Sequence, residues 1–436
     1  MSRRGLAVGL ALAVLTAVIS LNGCGARGRP PPLTNSRVQV LAVWSGVEES
    51  RFRQVLDSFT RGTGASVEYV SSGHEDLAAV LAARRRAGRL PDVVIFPQPE
   101  LLRQYARESV LVPIDDLVGE QVAHSYASVW RQLGSLNGRL YGLWFKAADK
   151  SLVWYDVAAF ERAAVVPPVD LPGLLRVTQR LRSTGRLGFA VAGGDPWTFT
   201  DLFENLDLRL AGGQRYDLLV QHRIRWTDPS VVSALSMFVR LLRPDAEFLQ
   251  RSAVDWRRTT FETSVDGVFG THPVAAMVAE GDFVAATVTG TTRARLGVDA
   301  DVFPFPSVDR SSESAQAVMG GGDAVALVHP TPAARALVRF LATPAAAEIW
   351  AAYGGFLSPN VNVDVSVYPD DLTRSFARAL LDAGNDFHFD LSDQQPAAFG
   401  ASEETGMQAV LGRLVRDGDV PRAAAELEAD ATEAFR

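Results

Sequence analysis

The amino-acid sequence predicts an α/β protein built as two lobes, each a sheet flanked by helices. Its 436 residues are 47% hydrophobic and only 21% charged, enough to bury a large core and long enough to divide into about two domains. From Val38 onward, short β-branched runs alternate with amphipathic stretches, the pattern of parallel strands joined by helices. At 140–145 (LYGLWF) and 150–156 (KSLVWYD) two strand candidates stand back to back, and helical content then rises sharply. Two α/β lobes joined by several chain crossings are the simplest architecture for this pattern.

Arg3 and Arg4 precede an apolar run from Leu6 to Ile19 and then Leu21-Asn22-Gly23-Cys24, the layout of a signal peptide over residues 1–23. The run is shorter than the about twenty residues of a membrane span, and no later segment is long, apolar and uncharged. The mature chain is therefore expected to be soluble apart from any anchor. Cys24 is the only cysteine, which excludes an internal disulfide and a thiolate-ligated metal cluster. The tetrapeptide ending at Cys24 resembles the lipobox of bacterial lipoproteins, whose cysteine becomes the first mature residue and carries lipid. Residues 24–37, rich in proline, glycine and polar groups, read as a flexible tether.

VQVLAV (38–43) reads as the first strand. Phe52, Val55, Leu56 and Phe59 then recur at helical spacing behind Glu48 and Glu49, acids placed for a first helical turn. A strand SVEYV (66–70), a helix starting near Asp76 and a strand DVVIF (92–96) complete a βαβαβ start, whose parallel sheet receives ligands at the carboxyl ends of its strands. Further helices are expected near 170–183, 198–211, 229–242, 258–265, 332–353, 369–383, 404–416 and 421–434. A strand DAVALV (323–328) follows Gly320-Gly321-Gly322.

The net charge of −7 gives no concentrated basic surface for nucleic acid, and Arg84-Arg85-Arg86 reads as a solvated helix end. There is no Gly-x-Ser-x-Gly elbow, no His-Glu-x-x-His and no clustering among the six histidines, so serine-hydrolase and common zinc-hydrolase chemistry lack support. No metal or cofactor is expected.

Six segments in one order, WSGVEESRF (44–52), AGRLPDVVIFPQP (87–99), LYGLWFKAADKSLVWYD (140–156), GGGDAVAL (320–327), EIWAAYGGFLSPN (348–360) and FHFDLSD (387–393), resemble the bacterial extracellular solute-binding proteins of sugar ABC transporters. This is the maltose-binding-protein superfamily, and the likeness is strongest to its α-glucoside branch. The resemblance covers essentially everything after residue 37. It implies a class II periplasmic-binding-protein-like fold with a ligand cleft at the hinge and crossings near 147–151, 316–322 and 354–360. The N-terminal lobe would then hold 38–148 with 323–354, and the C-terminal lobe 152–316 with 360–436. Also implied are a carbohydrate ligand, ABC permease subunits with a cytoplasmic ATPase, and binding without catalysis. Together with the lipobox it implies an exported monomer anchored through Cys24 to the outer face of the cell membrane.

Sugars present hydroxyl edges and apolar faces, so a fitting cleft offers carboxylates or amides for the first and aromatic rings for the second. Glu48 falls where the family sets a carboxylate against sugar hydroxyls, and it also suits a helix first turn. Gln98, in a Pro-Gln-Pro loop after a strand, is a candidate hydroxyl partner, or a solvent-facing turn residue. Asp149 matches the family carboxylate at the first crossing; an Asp149–Lys150 surface pair is the alternative. Trp154 and Tyr155 alternate faces on a strand, so one is expected at the cleft and the other in the core, with Trp154 the candidate. Asp195-Pro196-Trp197 matches the acid-Pro-aromatic triplet that grips sugar in the maltose-type family, so that Asp195 is a candidate ligand contact, with Trp197 expected on the sugar face and Asp201 either near it or a first-turn acid. Phe283 is the aromatic remaining in the 281–284 site segment. Gly321, with its neighbours, suits a hinge through close backbone approach or positive φ, and Asp323 follows it. Trp44 and Trp350 read as core.

This chain departs from the branch at Gln394-Gln395-Pro396 and at Glu403-Glu404-Thr405-Gly406-Met407, where the branch usually carries an aromatic pair. The competing readings are an exported glycoside hydrolase using acids such as Glu48, Asp149 and Asp195, and the same fold carrying a polyamine, an anion or a metal ion.

Overall fold

The computed structural model describes residues 33–73, 77–252, 254–308 and 317–436; the expected leader, Cys24 and most of the tether lie outside them. In chain order the strands are β1 (Arg37–Ala42), β2 (Ser66–Ser71), β3 (Val93–Phe96), the short pair β4 (Ser135–Leu136) and β5 (Arg139–Leu140), β6 (Gly142–Asp149), β7 (Leu152–Asp156), β8 (Leu187–Phe189), β9 (Ala275–Ala279), β10 (Ala300–Pro304), β11 (Val318–Leu327) and β12 (Phe387–Phe389). They form one sheet ordered β12-β11-β3-β1-β2, with β6 also paired to β11, and a second ordered β10-β7-β9-β8. Helices surround both, which is the expected α/β class.

The first sheet is built as its periodicity predicts. β1 runs parallel to β2 and β3, and the helix Gly46–Thr63 between them buries Phe52, Val55, Leu56 and Phe59 on one stripe. That helix stops at Gly64, whose φ of 79° only glycine adopts freely. Trp44 meets Phe52 and Trp350 edge to face, with its ring centroid 4.8 Å from each, and Trp44 and Trp350 are buried core side chains.

β6 belongs to the first sheet and β7 to the second, so the chain changes sheets at Lys150 and Ser151. This junction is stitched to its neighbours. The Lys150 N–H donates to Met319 O at 2.9 Å, the Met319 N–H to Ser151 Oγ at 2.7 Å, and the Ala147 N–H to Leu357 O at 2.8 Å. Three segments far apart in sequence thus stand side by side where the two sheets adjoin.

Four elements differ from expectation. Gly320, Gly321 and Gly322 lie inside β11, because an extended run with no side chains can pass where side chains cannot. The helix expected to end near 242 continues as Pro229–Arg251 through Pro244. Arg182 braces it there, donating to Leu241 O at 2.7 Å and to both oxygens of the buried Asp245, which compensates for the interruption a proline makes in a helix. The single helix expected over 332–353 is two, Pro332–Leu341 and Pro344–Ala351, because Thr343, before Pro344, takes an extended conformation and caps the second. Finally, β12 lies in a segment expected wholly in the C-terminal lobe, yet it pairs with β11 in the first sheet. Its apolar alternation, with Phe387 and Phe389 buried and packed on Trp130, supplies the reason. Among the described residues, no helix is long and apolar enough to cross a membrane.

Candidate ligand-binding site

The carboxyl ends of β1, β3 and β6 point to the same edge of the first sheet, the edge at which β11 begins. Glu48 sits just past β1 in the first turn of its helix, and the Lys146 ammonium on β6 lies 2.6 Å from its carboxylate. Asp323 is the direct register partner of Lys146 on β11 and accepts a 3.3 Å hydrogen bond from the Trp44 indole. Burial pushes Asp323 up to about 6 despite the attraction of Lys146. Burial also opposes the charge on Lys146, but Glu48 and Asp323 outweigh it and hold the ammonium above its ordinary range. Gln98, half-buried, stands before the helix Pro99–Arg107, just beyond Phe96 and so beside the strand that carries Asp323.

At the junction, the Lys150 ammonium donates to Asp201 at 3.0 Å and also to Asp390. Both carboxylates are buried. Burial opposes their charge, yet Lys150 holds Asp390 well below the usual carboxylate range while Asp201 is pushed up to about 7. Glu204, one helical turn past Asp201, accepts the Leu391 and Ser392 N–H groups at 2.7 and 3.0 Å. Glu280, just after β9, is buried, and neither oxygen has a donor among the described residues. Burial and the neighbouring Asp201 push its carboxyl well above the usual range. Asp149 and Asp282 clasp each other, each N–H bonded at 2.9 Å to an oxygen of the other residue, and the Asp149 carboxylate also accepts the Ser151 N–H.

The third wall is aromatic. Trp197 opens the helix Trp197–Ala211, its ring 5.4 Å from Phe261 and 6.1 Å from Phe283, with the Lys150 ammonium 5.9 Å from its centroid. Trp197 and Phe283 are half-buried. Gly321 is buried in β11, opposite Ala148 and beside the Lys150 side chain.

The structure thus brings together at the junction Asp149, Trp197, Asp201 and Phe283, with Gly321 beside Lys150, and it puts Glu48, Gln98 and Asp323 along the first-sheet edge. It corrects Trp154. That ring is wholly buried, its indole N–H donates to Gly281 O at 3.0 Å, and it packs on Phe376. Tyr155 is buried too and bonds Asp301. β7 lies between β10 and β9 with both faces covered, so neither residue is left for the cleft. Asp195 is engaged as well, accepting the Phe261 N–H at 2.6 Å. Sequence reasoning missed Lys146, Glu204, Phe261, Glu280, Asp282 and Asp390. Of these, Asp390 carried a signal, as an acid directly after a short aromatic strand.

Acceptor-rich carboxylates, two ammonium donors and half-buried rings suit a polyhydroxylated ligand with apolar faces. Two α/β units adjoining at such a junction are an arrangement that can receive a solute between them. Residues 44–240 match the family described as bacterial extracellular solute-binding protein. The chain is 31% identical over 392 residues to the osmoprotective compounds-binding protein GgtB of a Synechocystis species, covering 89% of this chain and 91% of that protein. It is 32% identical over 392 residues to the alpha-glucosides-binding periplasmic protein AglE of Rhizobium meliloti, covering 87% and 84%. The solved structure of the solute receptor AcbH, described as preferring β-D-galactopyranose, matches with a TM-score of 0.75 at 16% identity, over 92% of this chain and all of that one. The chain belongs to the bacterial extracellular solute-binding proteins, as an exported substrate-binding component of an ABC transporter that works with permease components. It is a binding protein and not an enzyme.

Proposed function

We propose that this chain captures an α-glucoside or another di- or oligosaccharide between its two lobes and delivers it to the permease by hinge closure. The observation that carries the reading is the half-buried Trp197–Phe283 wall beside the Lys150–Asp201–Asp390 cluster, because a ring face next to clustered hydrogen-bonding groups is what a sugar requires. The α-glucoside binding named for AglE supports the ligand class. In this reading Glu48, Gln98, Asp149, Asp201, Gly321 and Asp323 meet hydroxyls, while Trp197 and Phe283 meet the sugar face. A thermal-shift panel of mono-, di- and oligosaccharides is expected to show a saturable rise in melting temperature with at least one glucoside. Trp197→Ala is expected to weaken that ligand by about 2 kcal/mol in calorimetry. An unchanged affinity removes Trp197 from the ligand wall, and a panel in which only polyamines bind removes the sugar reading.

We also propose that Cys24 is the lipidated first residue of a mature monomer held at the membrane surface. The Leu-x-Gly-Cys tetrapeptide and the tether after it support this, and anchoring would raise the receptor's effective concentration at its permease. Cys24→Ala is expected to move the protein out of the membrane fraction. Retention of the variant there overturns the assignment.

A further inference from the structure

We infer that Asp195 is a positioning residue that sets Trp197 against its aromatic neighbours and does not itself contact the ligand. This rests on the sugar-receptor reading only in taking Trp197 as the ligand wall.

The geometry begins with the helix Phe261–Phe269. Its first N–H groups have no acceptor within the helix, and its amino end favours negative charge. Asp195 Oδ2 accepts the N–H of Phe261, the first helical residue, at 2.6 Å. Thr260 Oγ1 accepts that of Thr263 at 3.2 Å. Asp195 therefore acts as a cap supplied from another part of the chain, and its charge is directed at the helix end.

The residues before it close the rest of the clasp. The Gly193 N–H donates to Trp256 O at 3.0 Å and the Gly194 N–H to Thr259 O at 2.9 Å. A Cβ on Gly193 would stand 2.6 Å from the Trp256 ring, and one on Gly194 would stand 2.9 Å from Thr259 O. The segments 193–195 and 256–261 thus run closer together than side chains allow, joined by three bonds of which only the last is made by a side chain.

That last bond links the two backbones from which the facing rings depart. Trp197 follows Asp195 by two residues, in a turn where the Thr198 N–H donates to Asp195 O at 3.0 Å. The Phe261 ring lies 5.4 Å from Trp197 and 5.5 Å from Phe283. Removing the carboxylate frees the turn from the helix and lets Trp197 move relative to both phenylalanines. The matching acid of the triplet was expected to contact sugar; here the bond to Phe261 occupies it.

A double-mutant cycle on the intact protein separates the two roles. With the best glucoside from the panel, Asp195→Ala is expected to weaken binding about tenfold, the scale of one charge-assisted hydrogen bond. Asp195→Asn should recover most of the loss, since its amide oxygen can accept the same N–H. In a Trp197→Ala background, Asp195→Ala should change affinity by less than about twofold, because the ring it positions is gone. An equal loss in both backgrounds means direct contact and overturns the inference. Amide exchange at Phe261, read without ligand, should quicken in Asp195→Ala and stay slow in Asp195→Asn. Unchanged exchange in Asp195→Ala also overturns it. If no sugar binds the parent, the receptor reading fails while the exchange result still decides the clasp.

Discussion

Replacing Lys150 by methionine is expected to cost the folded state about 3–5 kcal/mol near neutral pH, the scale for removing one partner of a buried charge pair. The ammonium sits between Asp201 and Asp390, which are 2% and 1% exposed. Burial opposes its charge, yet the two acids hold it protonated well above its ordinary range. The loss should depend on pH. In the parent, Asp390 titrates below its unfolded value, so its stabilisation is present above about pH 4 and is lost as pH falls through the folded value. In the variant both acids lack their cation, and their charged forms become more costly as pH rises above about 4. The parent's loss comes only below about pH 4, so between neutrality and about pH 4.5 it is the second effect that narrows the gap. Chemical unfolding of parent, Lys150→Met and Lys150→Arg at about pH 7.5 and about pH 4.5 checks this. The methionine variant should lose much less at the lower pH, and arginine should retain part of the stability. A loss that is the same at both pH values would mean that packing, and not charge, is what Lys150 supplies.

The parts of the fold that could be read from sequence are those governed by local period. The stripe Phe52, Val55, Leu56 and Phe59 is buried as its spacing predicts, and the β-branched runs became β1 and β3. What could not be read depends on partners distant in sequence. Pro244 locally favours a helix end or kink, and the bonds of Arg182 to Asp245 and Leu241 O brace the helix where it continues. The candidate site divides in the same way. Trp197 was visible because a large ring beside a turn acid has few local explanations. Glu204, Glu280, Asp282 and Asp390 were not singled out, since an acid in isolation reads as surface and only the folded chain collects these side chains around Lys150 and Asp149. Trp154 misled for the converse reason: strand alternation predicts one exposed face, and β7 has none.

The glycine run in β11 should show an alternating response to alanine. A Cβ on Gly320 would stand 2.0 Å from Ala148 O, and one on Gly322 would stand 2.6 Å from Lys146 O. Both obstacles are backbone of the neighbouring β6, which cannot yield without parting the two strands at the junction. On Gly321, one residue later on the opposite face of the strand, the nearest atom is Lys150 Cε at 3.6 Å, an ordinary contact. None of the three adopts a positive φ, so close approach is what selects glycine at Gly320 and Gly322. Gly320→Ala is expected to destabilise by about 3 kcal/mol, the upper range for overpacking a closed interior, and Gly322→Ala by somewhat less. Gly321→Ala should be neutral or slightly stabilising, since alanine loses less entropy than glycine on entering a strand. Its sugar affinity is the informative readout. If Gly321 borders the ligand, the added methyl group should weaken binding while the melting temperature holds. Melting curves and calorimetry on the three variants test both steps. If Gly321→Ala unfolds the protein while Gly320→Ala does not, the register between β11 and β6 is wrong, and with it the placement of Asp323 opposite Lys146.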